Sequence, residues 1–278
     1  MGGPARRADR SRTCRCNSTM KPPEKRVAFV TGAASGIGLA TVRRFVEKGT
    51  AVVALDNKIG DELRALEGEG YVLAFEGDVR DAALNVDAVG AGVQRFGSLG
   101  VAVLNAGITH SGSVEDATIE QLDDVLSINV KGVVLGFRAC VPALRAHGAG
   151  AVVITASVSG LAGDPSLWAY NGSKAAVINM MRAWALDYAA SNIRVNAVCP
   201  GPIKTRLTQP LYDGPGTPVG DQIIANIPMQ RWGDADEVAS AIEFLTSASA
   251  SYITGVALPV DGGVTASTGQ FSSGRSVD

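Results

Sequence analysis

The sequence predicts one doubly wound α/β domain over residues 25–265, with a parallel sheet of about seven strands and helices on both faces. Two observations predict it. Short runs of Val, Ile, Ala and Leu recur along the chain, apolar throughout rather than alternating, as strands buried on both faces require. Between them lie longer stretches with apolar residues at helical spacing, and no break in composition divides the 278 residues into two domains.

In order, RVAFVT (26–31) reads as the first strand, and TGAASGIG turns from it into the amphipathic LATVRRFVEKG. AVVALD (51–56) is the second strand, and a short helix leads to a third, YVLAFEGD (71–78). DAALNVDAVGAGVQRFG reads as a helix and VAVLNAG (101–107) as the fourth strand. One long helix is expected from about Thr118 to His147, before the strand AVVITAS (151–157). A helix from about Trp168 to Ser191 leads to IRVNAVCPG (193–201), and a helix near 234–247 leads to GVALPVDGG (255–263). The Pro- and Gly-rich segment 207–231 reads as a loop and residues 266–278 as a tail.

Composition excludes several function classes. A formal net charge of −2 argues against a general footprint for nucleic acid or anionic membrane, and two histidines without a CxxC pair argue against structural zinc or haem. No metal is expected. The charge is uneven, however: residues 1–23 carry six basic residues against Asp9, a net +5, leaving −7 for the rest. Residues 1–24 are nearly devoid of apolar residues and are expected to be disordered. No apolar run follows Arg6-Arg7, so this head is not a secretory signal. Its composition fits a transit peptide and its charge a nucleic-acid arm, but Met20, opening MKPPEKRVAFVTG, fits a true start and makes the head dispensable. Cys14 and Cys16 lie in the head; Cys140 and Cys199 sit in apolar runs and read as buried small hydrophobes. With no disulfide framework, the expected compartment is the cytoplasm.

The first chemical signal is the glycine-rich turn. Gly32, Gly36 and Gly38 lie between a strand and a helix, where absent side chains let backbone amides and the helix dipole approach a pyrophosphate. A structural turn uses glycine too, so Asp56 matters: it ends the second strand, where a carboxylate accepts both ribose hydroxyls of an adenosine and repels a 2′-phosphate. No arginine follows as a phosphate clamp, although Lys58 is close. The cofactor expected is NAD, with NADP second. The second signal is Tyr170 followed by Lys174, which share a helix face; a neighbouring ammonium favours phenolate and suits a general acid/base. YxxxK alone also fits an ordinary surface pair.

Seven motifs then fall in order: TGAASGIG (31–38), Asp78-Val79, NAG (105–107), Asn129, Ser157 thirteen residues before Tyr170, YNGSK (170–174) and PGPIKT (200–205). From about residue 25 to 265 the chain resembles the short-chain dehydrogenase/reductase superfamily, in its compact Rossmann-type branch acting on alcohols and ketones. The resemblance implies that Tyr170 exchanges a proton with the substrate oxygen and that Ser157 hydrogen-bonds that oxygen. It implies that Lys174 binds the nicotinamide ribose and lowers the Tyr170 pKa, and that Asn129 holds a relay water. It assigns Gly32, Ser35, Gly36, Ile37 and Gly38 to the phosphate turn, Asp56 to the ribose, and Asp78 and Val79 to the adenine. Asn105, Ala106 and Gly107 would line the cofactor, and Pro200, Gly201, Ile203 and Thr205 would meet the nicotinamide. One departure is Leu104, where the family often has a second Asn.

The expected activity is NAD-linked hydride transfer between a secondary alcohol and a ketone. The alternatives are an NADPH-linked 3-oxoacyl thioester reductase and a non-catalytic dinucleotide-binding protein. In the family, segment 207–231 would be a lid, with Trp168 and Leu161 expected as apolar walls. His110 reads as a loop histidine, and His147 as a helix C-terminal cap. The helices over 118–147 and 168–191 are apolar on more than one face, which predicts a homo-oligomer; the resemblance implies a homotetramer.

Overall fold

A computed structural model describes residues 26–68, 70–212 and 218–268. The head, residues 1–24, and the tail beyond 268 lie outside the described residues, and the expectations for them go with them. In chain order the elements are β1 (Arg26–Thr31), α1 (Gly36–Glu47), β2 (Ala51–Asp56), α2 (Asp61–Gly68), β3 (Val72–Glu76), α3 (Ala82–Phe96) and β4 (Ser98–Leu104). There follow α4 (Ile119–Leu126), α5 (Val133–His147), β5 (Gly150–Thr155), α6 (Trp168–Ala189), β6 (Ile193–Pro200) and the short β7 (Ile203–Lys204). The last are α7 (Gln209–Tyr212), α8 (Pro218–Asn226), β8 (Gly233–Asp234), α9 (Ala235–Thr246) and β9 (Ala257–Val260).

Seven strands form one sheet in the order β3-β2-β1-β4-β5-β6-β9, every pairing parallel. The strands are apolar throughout because both faces are covered. Along β1, Val27 and Phe29 enter one core with α3, α5 and α6, while Ala28 and Val30 enter the other with α1 and α9. On the first face Phe137 stacks on Trp184 at 4.5 Å between ring centroids and meets Tyr188 edge-on at 5.1 Å, joining α5 to α6. The chain reverses direction across the sheet between β1 and β4, so their carboxyl ends open a crevice.

Two expectations need correction. The long helix of 118–147 is two helices, α4 and α5, joined by one π-helical turn, Ser127–Gly132. The wider turn presents Asn129 to a loop instead of continuing the helical stripe, a tertiary demand that hydrophobic periodicity does not record. The whole run Ile119–His147 is apolar enough to span a membrane by composition, yet half of its most apolar window is buried in the domain. Segment 207–231 contains α7 and α8 rather than loop alone; α7 is held by Tyr212, whose ring meets Trp232 edge-on at 5.4 Å. Cys140 and Cys199 are buried free thiols, as expected.

Phe137 is 3% exposed at the junction of α5 and α6. Phe137→Ala is expected to lower the unfolding free energy by about 3 to 5 kcal/mol in urea denaturation. A loss below about 0.5 kcal/mol, the range of surface substitutions, would contradict this packing.

Candidate active site

The crevice between β1 and β4 holds a cavity of about 380 Å³. All the sequence-expected site residues except Gly38 and Asn129 line it. The two exceptions lie directly behind its wall.

The glycine turn forms one end. Gly32 has φ +62°, and a side chain there would reach within 2.9 Å of Ala106 Cα. Gly38 lies inside the first turn of α1, where a Cβ would overlap the Gly32 carbonyl oxygen. Ser35 caps α1 without a side-chain bond, and the first turn carries no acidic residue, so its leading amides and positive dipole end face the cavity. Asp56 does two things: Oδ2 accepts from the Ala34 amide at 2.8 Å, fixing the turn, and Oδ1 takes only a 3.3 Å bond from the Lys58 amide. Asp78 is already engaged. Its carboxylate takes a fork of bonds from the Arg80 guanidinium, the closest at 2.6 Å, and that partnership holds it below the usual carboxylate pKa. Arg80 also bonds Asp124 of α4 at 3.1 Å, so this pocket edge is an ion-pair network rather than a free carboxylate.

Asn105 holds the middle. Its Nδ2 donates to Gly32 O at 3.0 Å, its Oδ1 accepts from Thr155 Oγ1 at 3.0 Å, and its amide donates to Thr31 Oγ1 at 3.0 Å. It therefore ties strand ends together in addition to lining the cavity. Leu104, the departure from the family pattern, is simply core, 1% exposed.

The polar cluster Ser157, Tyr170, Lys174 forms the other end. Ser157 begins the turn after β5, while Tyr170 and Lys174 stand one turn apart on α6. Lys174 is 4% exposed and Nζ donates to Thr155 O at 2.9 Å. Burial pulls its pKa down to about 8. Nζ lies 5.6 Å from the Tyr170 ring centroid. The Tyr170 pKa is raised, not lowered as the sequence led us to expect: burial dominates, a bond with Ser157 opposes it, and the Asp164 charge adds to it. One of the three Lys174 N–H donors goes to a backbone carbonyl, and burial of the phenol decides the direction.

Asn129, fully buried in the π-turn, pairs with the Ile108 backbone as a strand would. Its Oδ1 accepts from the Ile108 amide at 2.8 Å, and its Nδ2 donates to Ile108 O at 2.9 Å and Ser173 Oγ at 3.0 Å. A Cβ at Gly107 would lie 3.2 Å from Lys174 Nζ and 3.3 Å from Asn129 Oδ1, so glycine keeps that floor open.

The segment after β7 adds Thr205, Arg206, Leu207 and Thr208 to the lining. Trp168 and Leu161 are not among the lining residues, because the loop before α6 turns Leu161, 41% exposed, outward. His110 likewise is not among them, and His147 bonds Ser98 Oγ at 3.0 Å while Gly148, at φ +80°, ends α5. Sequence reasoning missed Thr31, Thr155, Arg80, Ser159 and Asp164. The threonines end strands beside the motifs, which is a usable signal; the others matter through partners distant in sequence. No group of three or more His, Cys, Asp and Glu placed to hold a metal occurs among the described residues.

An open glycine cradle, a strand-end carboxylate, a buried Ser and Lys and a half-buried Tyr in one crevice fit a nicotinamide dinucleotide and define an NAD(P)-dependent oxidoreductase. A family model described as Enoyl-(Acyl carrier protein) reductase matches residues 32–265. The chain is 42% identical to 2-(R)-hydroxypropyl-CoM dehydrogenase of Xanthobacter autotrophicus, over 87% of this chain and 99% of that one. It is 35% identical to meso-2,3-butanediol dehydrogenase of Serratia marcescens, over 89% and 97% respectively. The crystal structure of 3-ketoacyl-(acyl-carrier-protein) reductase from Brucella melitensis complexed with NADH superposes with a TM-score of 0.79 at 34% identity, covering 87% of this chain and 99% of that one. The chain belongs to the short-chain dehydrogenase/reductase family and acts by hydride transfer with a nicotinamide cofactor.

Asn129 is the buried partner of both Ile108 backbone groups. Asn129→Ala is expected to cost about 1 to 3 kcal/mol in urea denaturation, since it leaves the part-buried Ile108 N–H and C=O without their side-chain partner. Stability unchanged within about 0.5 kcal/mol would contradict the pairing.

Proposed function

We propose that the protein is an NAD-dependent dehydrogenase of secondary alcohols, reversible as a ketone reductase, with Tyr170 as its general acid/base. The observation that carries this reading is the placement of Ser157, Tyr170 and Lys174 at one end of a cavity whose other end is the glycine turn and Asp56. When bound, the nicotinamide supplies or accepts the hydride. Asp56 receives the adenosine ribose hydroxyls, and the α1 amides receive the pyrophosphate. Lys174, charged below about pH 8, donates to the second ribose and stabilises negative charge at Tyr170 Oη. Ser157 orients the substrate oxygen, and Tyr170 takes the hydroxyl proton in oxidation or returns it in reduction. Asn129 holds the π-turn and the Ile108 loop against Ser173, one residue before Lys174.

The choice of NAD rests on Asp56, whose charge repels a 2′-phosphate. The second reading, a 3-oxoacyl thioester reductase, draws support for its substrate from the Brucella melitensis relative, whose structure holds NADH, and for NADPH only from Arg206 in the cavity lining. Exposed Ile119, Leu126 and Leu186 on α4 and α6 support self-association, and the assembly proposed is a homotetramer.

With propan-2-ol, butan-2-ol and meso-2,3-butanediol as test alcohols, Tyr170→Phe is expected to reduce kcat by a factor of about 10² to 10⁴. NADH affinity by fluorescence titration should stay within a few-fold, and wild type should bind NADH more tightly than NADPH. A kcat for Tyr170→Phe within a few-fold of wild type would refute the acid/base role, and tighter NADPH binding would refute the Asp56 argument.

A further inference from the structure

Asn85 is a polar residue on the buried stripe of α3, alongside Ala88, Val89 and Gly92. It is 0% exposed, and its Oδ1 bonds to nothing among the described residues. A Cβ on Gly136 of α5 would lie 3.6 Å from that oxygen and close to Leu104 and Phe29, so the surroundings are core. Burying an amide so incompletely paired is unfavourable, which makes its other end informative. Nδ2 donates to two backbone carbonyls, Val79 O at 2.9 Å and Asp81 O at 2.6 Å. The reversed amide would set its oxygen against both, which fixes this orientation.

Those carbonyls belong to the turn between β3 and α3, where Asp78, Val79 and Arg80 line the cavity. The Asp81 amide donates to Asp78 O at 3.0 Å, the Arg80 amide donates to Asp78 Oδ1 at 2.8 Å, and the Asp81 side chain caps α3. Asp81 O also accepts from the Asn85 amide at 3.2 Å, whereas Asn85 Nδ2 is the partner of Val79 O among the described residues. The Val79 N–H, by contrast, donates to no group among them. A trans peptide holds its N–H opposite its C=O, so with the Asp78 carbonyl turned into the loop the Val79 N–H points out of it. The Val79 side chain is seated as well: a Cβ on Gly132 of the π-turn would come within 2.8 Å of its Cγ2.

We propose that Asn85 is a positioning residue for adenine recognition: its Nδ2 holds the Val79 carbonyl inward and so keeps the Val79 N–H as a fixed donor to N1 of the adenine ring. The proposal rests on the reading of the crevice as the NAD site, with the adenosine at the Asp56 end. Adenine presents N1 as an acceptor, whereas hypoxanthine presents N1–H beside a carbonyl. Against a fixed N–H the first base forms a bond, and the second sets donor against donor. A turn free to rotate at Val79 accepts either. Asp78 stays forked to Arg80 whatever stands at position 85, so its effect on the C6 substituent is common to wild type and variants.

The test titrates wild type, Asn85→Leu and Asn85→Ala by fluorescence with NADH and with reduced nicotinamide hypoxanthine dinucleotide, using Phe137→Ala as reference. Leucine fills nearly the same volume without a donor, and alanine serves if leucine does not fit. Wild type is expected to bind NADH about tenfold more tightly than the analogue. Both Asn85 variants should weaken NADH with little change for the analogue, so that the preference falls at least about threefold. Phe137→Ala loses packing elsewhere in the same core and should keep the wild-type preference. The ratio of two Kd values on one sample does not depend on the fraction folded, so lost stability alone does not imitate the effect. Hydrogen exchange on wild type needs no variant: NADH should slow exchange of the Val79 amide and the analogue should not. No preference in wild type, an unchanged preference in the Asn85 variants, an equal shift in Phe137→Ala, or equal protection by both dinucleotides overturns the proposal. Wild type that binds neither dinucleotide would instead overturn the NAD reading, and the adenine seat with it.

Discussion

Asn105 joins the carboxyl ends of three parallel strands, and the working geometry of the crevice depends on that join. Its side chain reaches Gly32 after β1 and Thr155 at the end of β5, while its own amide and that of Ala106 reach Thr31. Thr155 in turn gives its carbonyl to Lys174. One unbroken path of short bonds therefore runs from the phosphate turn to the buried ammonium. A parallel sheet splays at a topological switch point, because neighbouring strands there send their connections to opposite faces. The amide of Asn105 bridges that opening with both a donor and an acceptor, so the two halves of the crevice hold a fixed separation.

The cost of this arrangement falls at the catalytic end. Lys174 and Asn129 are almost fully buried, and each is satisfied by backbone, Lys174 by Thr155 and Asn129 by Ile108. Burial of the ammonium brings its pKa near the working range, while burial of Tyr170 moves the phenol the other way. The segment after β7 contrasts with this. Leu207, Leu211, Val219 and Met229 remain exposed, and the Tyr212–Trp232 contact together with a 3.1 Å bond from Tyr212 Oη to Thr205 O holds α7 to the rim.

Much of this was legible in the sequence where function is local in the chain. The glycine turn, Asp56 two elements on and the i, i+4 pair Tyr170 and Lys174 are short-range patterns whose spacing carries their geometry. The strands were legible because burial on both faces leaves them uniformly apolar. The π-turn at Asn129 was not, since it exists to meet Ile108, 21 residues earlier, and apolar periodicity continues across it unbroken. Nor was the engagement of Asp78 by Arg80, which a reading of Asp78 as a free adenine contact overlooks. Nor was the bond from Ser159 Oγ to Asp164, which depends on how the loop before α6 folds back. The expected walls, Leu161 and Trp168, are not among the lining residues of the cavity, since proximity to a motif in sequence does not say which way a side chain points.

The account stands on a single dinucleotide spanning both ends of the crevice. A crystal structure with NADH bound tests this most directly. It should show the adenosine ribose on Asp56, the pyrophosphate over Gly36 and Ile37, and the nicotinamide ribose within hydrogen-bond reach of Lys174 Nζ, with the Asn105 bonds intact. A dinucleotide bound in the reverse sense, or seated away from either Asp56 or Lys174, would contradict it.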